Sequence, residues 1–100
     1  MNSWAIVFFD VEGRPVGRVP ILEQPTLVGR AVDGPGRIDD PRVSRTHMQV
    51  RLFGAGIGAL VRNLSKTNGL RVNGVACEES VVTTGAILDL GGARGVIVRD

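Results

Sequence analysis

Three short segments of this sequence carry arginine, lysine, hydroxyl and amide side chains next to glycine or histidine, namely Gly29-Arg30, Ser44-Arg45-Thr46-His47 and Lys66-Thr67-Asn68-Gly69. A guanidinium donates a fixed fork of N–H groups, an ammonium adds a point charge, and hydroxyls and amides donate without adding charge. These segments are therefore candidates for an anion-binding site.

The same residue types also raise the possibility of catalysis. Ser44 and His47 stand three positions apart, and Asp39 and Asp40 lie close by in sequence. The partners of a nucleophilic triad normally come from separate parts of a fold, and no oxyanion site or pocket for a substrate is evident. A hydrolase is therefore the weaker hypothesis, and a lone histidine is more often a structural residue.

The elements that must position these residues have the signature of β-strands. Apolar or alternating runs are predicted to form strands over residues 4–11, 16–22, 26–28, 47–52, 59–64, 70–72, 75–77, 87–90 and 96–99. Residues 31–42 are a predicted loop because glycine and proline recur there, and residues 91–95 because three of them are glycine. In the run 47–52, Met48, Val50 and Leu52 are expected on one face of a strand and His47, Gln49 and Arg51 on the other.

The strongest local signal is Asn73-Gly74 between two apolar triplets, which predicts a hairpin with a type I′ turn. No segment has a sustained helical periodicity. Many short strands with regular turn signals predict an all-β protein, a two-sheet antiparallel β-sandwich with its binding loops at one end.

Read in order, Gly-Arg, Ser-Arg-x-His, Asn-Leu-Ser-Lys-Thr-Asn-Gly and Val-Asn-Gly resemble the forkhead-associated (FHA) domain over nearly the whole chain. The resemblance implies the FHA/SMAD-like sandwich and non-catalytic binding of phosphothreonine peptides. It implies that Arg30 and Ser44 contact the phosphate and that Arg45 lies along the peptide. Thr67 matches the residue that contacts the phosphate, and Asn68 matches the amide that bonds the peptide main chain.

The resemblance also assigns supporting roles. Lys66 stands where the family usually has serine or glycine and would add a point charge to the phosphate shell. His47 is expected to support the binding loops by hydrogen bonds, and Gly69 to adopt a backbone conformation closed to other residues. The residues expected to support the site are Gly29, His47, Asn63, Gly69, Asn73 and Gly74.

Composition limits the other classes of function. One cysteine, Cys77, excludes an internal disulfide, and with a single histidine no metal site or cofactor is expected. The net charge of +2 rests on eleven scattered arginines and one lysine, without a dense basic tract, and aromatic residues make up 4%. These values argue against nucleic-acid binding through this domain. Trp4 is expected in the core, and Cys77 as a small, buried apolar residue.

The length of 100 residues suits one domain, residues 1–100. We predict a cytoplasmic module without a membrane segment, which binds phosphothreonine proteins made by a Ser/Thr kinase. It is expected to be the N-terminal FHA domain of a longer signalling protein, for which the sensor of a bacterial transcriptional regulator is one possibility. The alternative is a protein-interaction module that uses the same loops without phosphate.

Overall fold

The computed structural model describes residues 3–100, in which ten β-strands form two antiparallel sheets. In chain order the strands are β1 (Trp4–Phe9), β2 (Pro15–Ile21), β3 (Thr26–Val28), β4 (Met48–Phe53), β5 (Gly58–Asn63), β6 (Leu70–Val72), β7 (Val75–Cys77), β8 (Glu79–Val82), β9 (Ile87–Leu90) and β10 (Ala93–Arg99). None of the described residues forms a helix that could cross a membrane.

The larger sheet has six strands in the order β2-β1-β10-β9-β6-β7, and the smaller has four in the order β3-β4-β5-β8. Inward side chains of both sheets form one apolar core. Ile6, Phe8 and Ile97 from the six-stranded sheet and Met48 and Val50 from the four-stranded sheet are fully buried in it. The predicted all-β antiparallel sandwich is therefore confirmed.

Strands β8 and β10 differ most from the prediction. Strand β8 was missed, because Glu79–Val82 has no hairpin signal and pairs with β5 from the edge of the smaller sheet. Strand β10 begins at Ala93 rather than at residue 96, so that only Gly91 and Gly92 separate it from β9. Gly95 lies inside β10. A Cβ at this position would come within 2.6 Å of the Phe8 ring. The glycine thus makes room for core packing and is not part of a turn.

The first strand ends earlier than predicted, at Phe9, because Asp10 organises the turn that follows. Its carboxylate accepts the backbone N–H groups of Glu12 and Arg14, each at 2.9 Å. By contrast, the predicted hairpin at residues 73 and 74 is present. Asn73 and Gly74 have φ values of 49° and 84°, the two positive angles that a type I′ turn requires.

His47 is also placed differently from the alternation prediction, which put it on the face of Gln49 and Arg51. Strand β4 begins one residue later, at Met48, and the His47 side chain is fully buried. Trp4 lies in the core as expected, with 5% of its surface exposed. Cys77 is half-buried at the edge of the core, and burial raises the pKa of its thiol.

Candidate functional site

A groove of about 600 Å³ lies between the loops at one end of the sandwich. Its walls come from the segments that join β3 to β4 and β5 to β6. The lining residues are Arg30, Pro41, Arg42, Val43, Ser44, Arg45, Thr46, Leu64, Ser65, Lys66, Thr67 and Asn68. All six residues predicted to contact a ligand are among them.

Arg30 is held on the first wall by its backbone and by its side chain. Its N–H donates to the Ser44 carbonyl at 3.0 Å, and the next N–H, of Ala31, donates to the Arg45 carbonyl at 3.0 Å. The Arg30 Nε donates to the Val43 carbonyl at 3.1 Å. Because the side chain is otherwise exposed, the terminal nitrogens of its guanidinium remain available to an anion in the groove.

Gly29 allows the two halves of this wall to approach closely. A Cβ at residue 29 would lie 2.2 Å from the Arg45 carbonyl oxygen, a distance that no side chain can occupy. The same glycine donates its N–H to the Gly36 carbonyl and accepts the Ile38 N–H. Its role in this fold is therefore steric and does not depend on a positive φ.

The buried His47 residue forms hydrogen bonds with three separate segments around the groove. Its Nδ1 accepts the Ser44 N–H at 3.0 Å, and its Nε2 donates to the Gly69 carbonyl at 2.6 Å. Its backbone N–H donates to the Val28 carbonyl at 2.8 Å, and its own carbonyl accepts the Leu64 N–H at 2.8 Å. This pattern requires the neutral ring with its proton on Nε2.

The geometry around His47 is unfavourable to the hydrolase hypothesis. Both ring nitrogens are used by backbone groups, and the hydroxyl of Ser44 lies against the Ser65 hydroxyl at 2.7 Å. The ring therefore does not act as a base towards Ser44 in this arrangement.

Burial lowers the pKa of His47 below its ordinary value of 6.5, and the Gly69 carbonyl only partly opposes this effect. The unfolded chain then binds a proton at higher pH than the folded chain does, so that acid favours unfolding. We expect the domain to lose thermal stability as the pH falls below about 6.5, with stability fully present above that value. Thermal melts between pH 8 and 5 (roughly the range in which histidine titrates) measure this effect.

The variant His47→Gln lacks the titrating ring and is the control for this pH dependence. Its melting temperature should change less over the same interval. An equal slope in the variant and the parent would assign the effect to another group. The lowered pKa of Asp10, which arises mainly from the Arg14 backbone N–H, acts only below pH 3.8 and does not interfere.

The second wall of the groove is a tight turn fixed by Asn63. The Asn63 amide accepts the Ser65 N–H at 3.0 Å and donates to the Ser65 carbonyl at 2.9 Å. Ser65 is buried, and its hydroxyl accepts the Asn68 N–H at 3.1 Å. Gly69 ends the turn with a φ of 70°, as expected for a position that favours glycine. Lys66, Thr67 and Asn68 consequently project as exposed side chains.

Arg42 is a lining residue that the sequence interpretation missed. Its backbone N–H donates to the buried carboxylate of Asp40 at 2.8 Å, and its Nε lies 3.5 Å from the same oxygen. Its carbonyl accepts the Asn68 amide at 3.0 Å, which ties the two walls together. The side chain packs on the turn between β9 and β10, since a Cβ on Gly92 would lie 2.3 Å from the Arg42 Nε.

The groove has a positive electrostatic character. Four cationic side chains line it, those of Arg30, Arg42, Arg45 and Lys66, and no carboxylate does so within residues 3–100. In the same part of the chain, no cluster of histidine, cysteine and carboxylate side chains could hold a metal ion. The lining thus offers hydrogen-bond donors and positive charge to an anion.

Two of the predicted supporting residues lie away from the groove. Asn73 and Gly74 follow β6, whereas the groove turn precedes it. The Asn73 side chain accepts the Ile87 N–H at 3.0 Å and so joins the hairpin to β9. The structure therefore gives these two residues a role in the sheet and does not bring them to the site.

Comparison with known proteins identifies the family. A model of the FHA domain matches residues 26–91. The chain belongs to the FHA domain family. It is 35% identical over 79 residues to the FHA domain-containing protein FhaA of Mycobacterium tuberculosis, a match that covers 79% of this chain and 14% of FhaA. The predicted family is confirmed, and the chain spans only a small part of this relative.

Solved structures agree with this assignment. The FhaA FHA domain, complexed with the intracellular domain of Rv3910, has a TM-score of 0.78 and 29% identity, with 96% of this chain and all (100%) of that chain covered. A structure from an analysis of phosphothreonine-dependent FHA domain interactions also has a TM-score of 0.78 and 29% identity, covering 95% of this chain and 94% of the other.

Proposed function

We propose that this FHA domain is a non-catalytic module that binds phosphothreonine peptides in its loop groove. The observation that carries the proposal is the lining itself, in which cations and hydroxyls from two loops converge and no described carboxylate intervenes. A phosphate dianion accepts hydrogen bonds only, so it fits a site that consists of donors. The related FHA domain studied for phosphothreonine-dependent interactions supports the same ligand class.

Each residue proposed to contact the peptide is assigned a role from its position in the groove. Arg30 would clamp the phosphate, with Ser44 and Thr67 donating from opposite walls. Lys66 would add charge, and Arg45 would follow the peptide. One N–H of the Asn68 amide donates to the Arg42 carbonyl, so its oxygen and its second N–H are available to the main chain of a peptide.

The wider setting is also proposed. The partner would be a protein phosphorylated by a Ser/Thr kinase, recognised in the cytoplasm without nucleic acid or membrane. A place in a bacterial transcriptional regulator stays a prediction. The proposal of a protein partner is supported by a related FHA domain that is complexed with the intracellular domain of Rv3910.

Calorimetric titration with a matched pair of peptides tests the proposal. A peptide chosen from a library with a fixed phosphothreonine should bind in the micromolar range, about −8 kcal/mol. The same peptide with unmodified threonine should bind at least about tenfold more weakly, because each charge-assisted hydrogen bond contributes about 1.5–3 kcal/mol.

Equal affinity for the two peptides would contradict phosphate recognition. In that event the domain would be a protein-interaction module that uses the same loops without phosphate. A scrambled phosphopeptide of equal charge is the control for non-specific attraction to the cationic groove.

A further inference from the structure

Ser65 borders the groove next to Ser44, but it is buried. The two hydroxyl oxygens are 2.7 Å apart, and Ser65 is 6% exposed. Ser44 is only partly buried and lines the groove directly. The pair thus consists of an inner and an outer hydroxyl group.

The surroundings of the inner hydroxyl determine the direction of this hydrogen bond. Ser65 Oγ already accepts the Asn68 N–H at 3.1 Å. Its own proton needs an acceptor, and within residues 3–100 the Ser44 hydroxyl is the one acceptor within hydrogen-bonding distance. A buried donor left without a partner is costly, whereas the half-exposed Ser44 can donate to water. Ser65 therefore donates, and Ser44 accepts.

We propose that Ser65 is a positioning residue, which turns the proton of the Ser44 hydroxyl towards the groove. This inference rests on the proposed function. The chain of donors runs from the Asn68 N–H to Ser65, from Ser65 to Ser44, and from Ser44 to a phosphate oxygen. Because the Ser44 oxygen accepts from behind, its single proton is directed forwards. Donors aligned in one direction also polarise and strengthen one another.

This arrangement favours ligands that only accept hydrogen bonds. A phosphate dianion has no proton to offer Ser44, so the outward proton matches it. Asn63 fixes the arrangement, because its side chain holds both the N–H and the carbonyl of Ser65.

A double-mutant cycle on phosphopeptide binding tests the role of Ser65. Ser44→Ala removes the outer donor, and Ser65→Ala removes the group that directs it. Ser44→Ala should weaken binding by about tenfold, the loss of one charge-assisted hydrogen bond, and Ser65→Ala by less, because the Ser44 hydroxyl keeps its proton but loses its orientation. Most of the Ser65→Ala loss should disappear in the Ser44→Ala background, because Ser65 acts mainly through Ser44, and the remainder comes from the Asn68 N–H that Ser65 also holds. Ser80→Ala, on β8, is the matched control and should bind as the parent does.

Losses that multiply in the double variant would overturn the inference, since Ser65 would then act independently of Ser44. If the parent binds no phosphopeptide at all, the proposed function fails and the recognition role of Ser65 fails with it. If Ser65→Ala does not fold, Ser65→Cys, which keeps a weak donor, takes its place. That variant should lose affinity in the parent background and much less in the Ser44→Ala background.

Thermal melts without ligand test the hydrogen-bond direction separately. Ser44→Ala should lower the melting temperature, because it leaves the buried Ser65 proton without an acceptor. Adding Ser65→Ala removes the stranded donor but also the acceptor of the Asn68 N–H, so the double variant should lose less than the sum of the two single losses. A Ser44→Ala variant that melts as the parent does would overturn the assigned direction, whatever the binding data show.

Discussion

Replacing Arg30 by alanine is expected to weaken phosphothreonine-peptide binding by at least about 100-fold while the domain stays folded. A guanidinium that engages phosphate through two charge-assisted hydrogen bonds contributes about 3–6 kcal/mol, and 100-fold corresponds to about 2.8 kcal/mol. The fold loses little, because the exposed side chain makes one hydrogen bond, to the Val43 carbonyl. Titration calorimetry and circular-dichroism melts measure the two effects.

Arg62→Ala is the matched control for Arg30→Ala. It removes the same charge from an exposed position on β5, and it should leave affinity within about twofold, since it lies outside the groove. Arg30→Lys should give an intermediate affinity, because a point charge replaces the planar fork. If Arg30→Ala unfolds, or binds the phosphopeptide as well as the parent does, Arg30 is not the phosphate clamp.

Replacing His47 by alanine is expected to lower the free energy of unfolding by about 2–4 kcal/mol. The ring is fully buried, so its loss leaves a cavity beneath the groove. The Ser44 N–H and the Gly69 carbonyl would also lose their partners. Such a change is a large part of a typical domain's stability of about 5–15 kcal/mol. Urea unfolding followed by tryptophan fluorescence gives the difference.

Gln49→Ala serves as the control for His47→Ala. Gln49 is partly buried two residues further along, on the outward face of β4, and its loss should cost less than about 1 kcal/mol. If the two variants have equal stability, the two ring hydrogen bonds of His47 do not support the loops as described.

Local turn chemistry made parts of this fold predictable. Asn73-Gly74 determines its own hairpin, because the two positive φ angles depend only on residues in the turn. Strand β8 was not predictable in the same way, since its pairing with β5 is a contact between distant segments. The early start of β10 was not predictable from the sequence for a related reason. Gly95 is indistinguishable in sequence from a turn glycine, and only the neighbouring Phe8 ring explains it.

The candidate site likewise has residues that local sequence predicted and residues that depend on distant contacts. Ordered motifs were sufficient to name six side chains that the structure brings into one groove, from Arg30 to Asn68. Ser65 and Arg42 were missed because their significance lies in partners far along the chain. Ser65 contacts Ser44, 21 positions away, and the Arg42 carbonyl accepts a hydrogen bond from Asn68, 26 positions away. No local pattern encodes such pairs.

The long-range hydrogen bonds of His47 also have a kinetic consequence. Its ring bonds Ser44, three residues before it, and Gly69, 22 residues after it, so the two walls are joined through His47 only when β4, β5 and β6 are in place. Contacts between distant segments form late, because the entropy of closing long loops opposes them. During refolding, phosphopeptide capture should therefore appear only with the last phase of sandwich formation. Binding of a phosphopeptide added during that phase would measure the fraction of the domain that has completed folding.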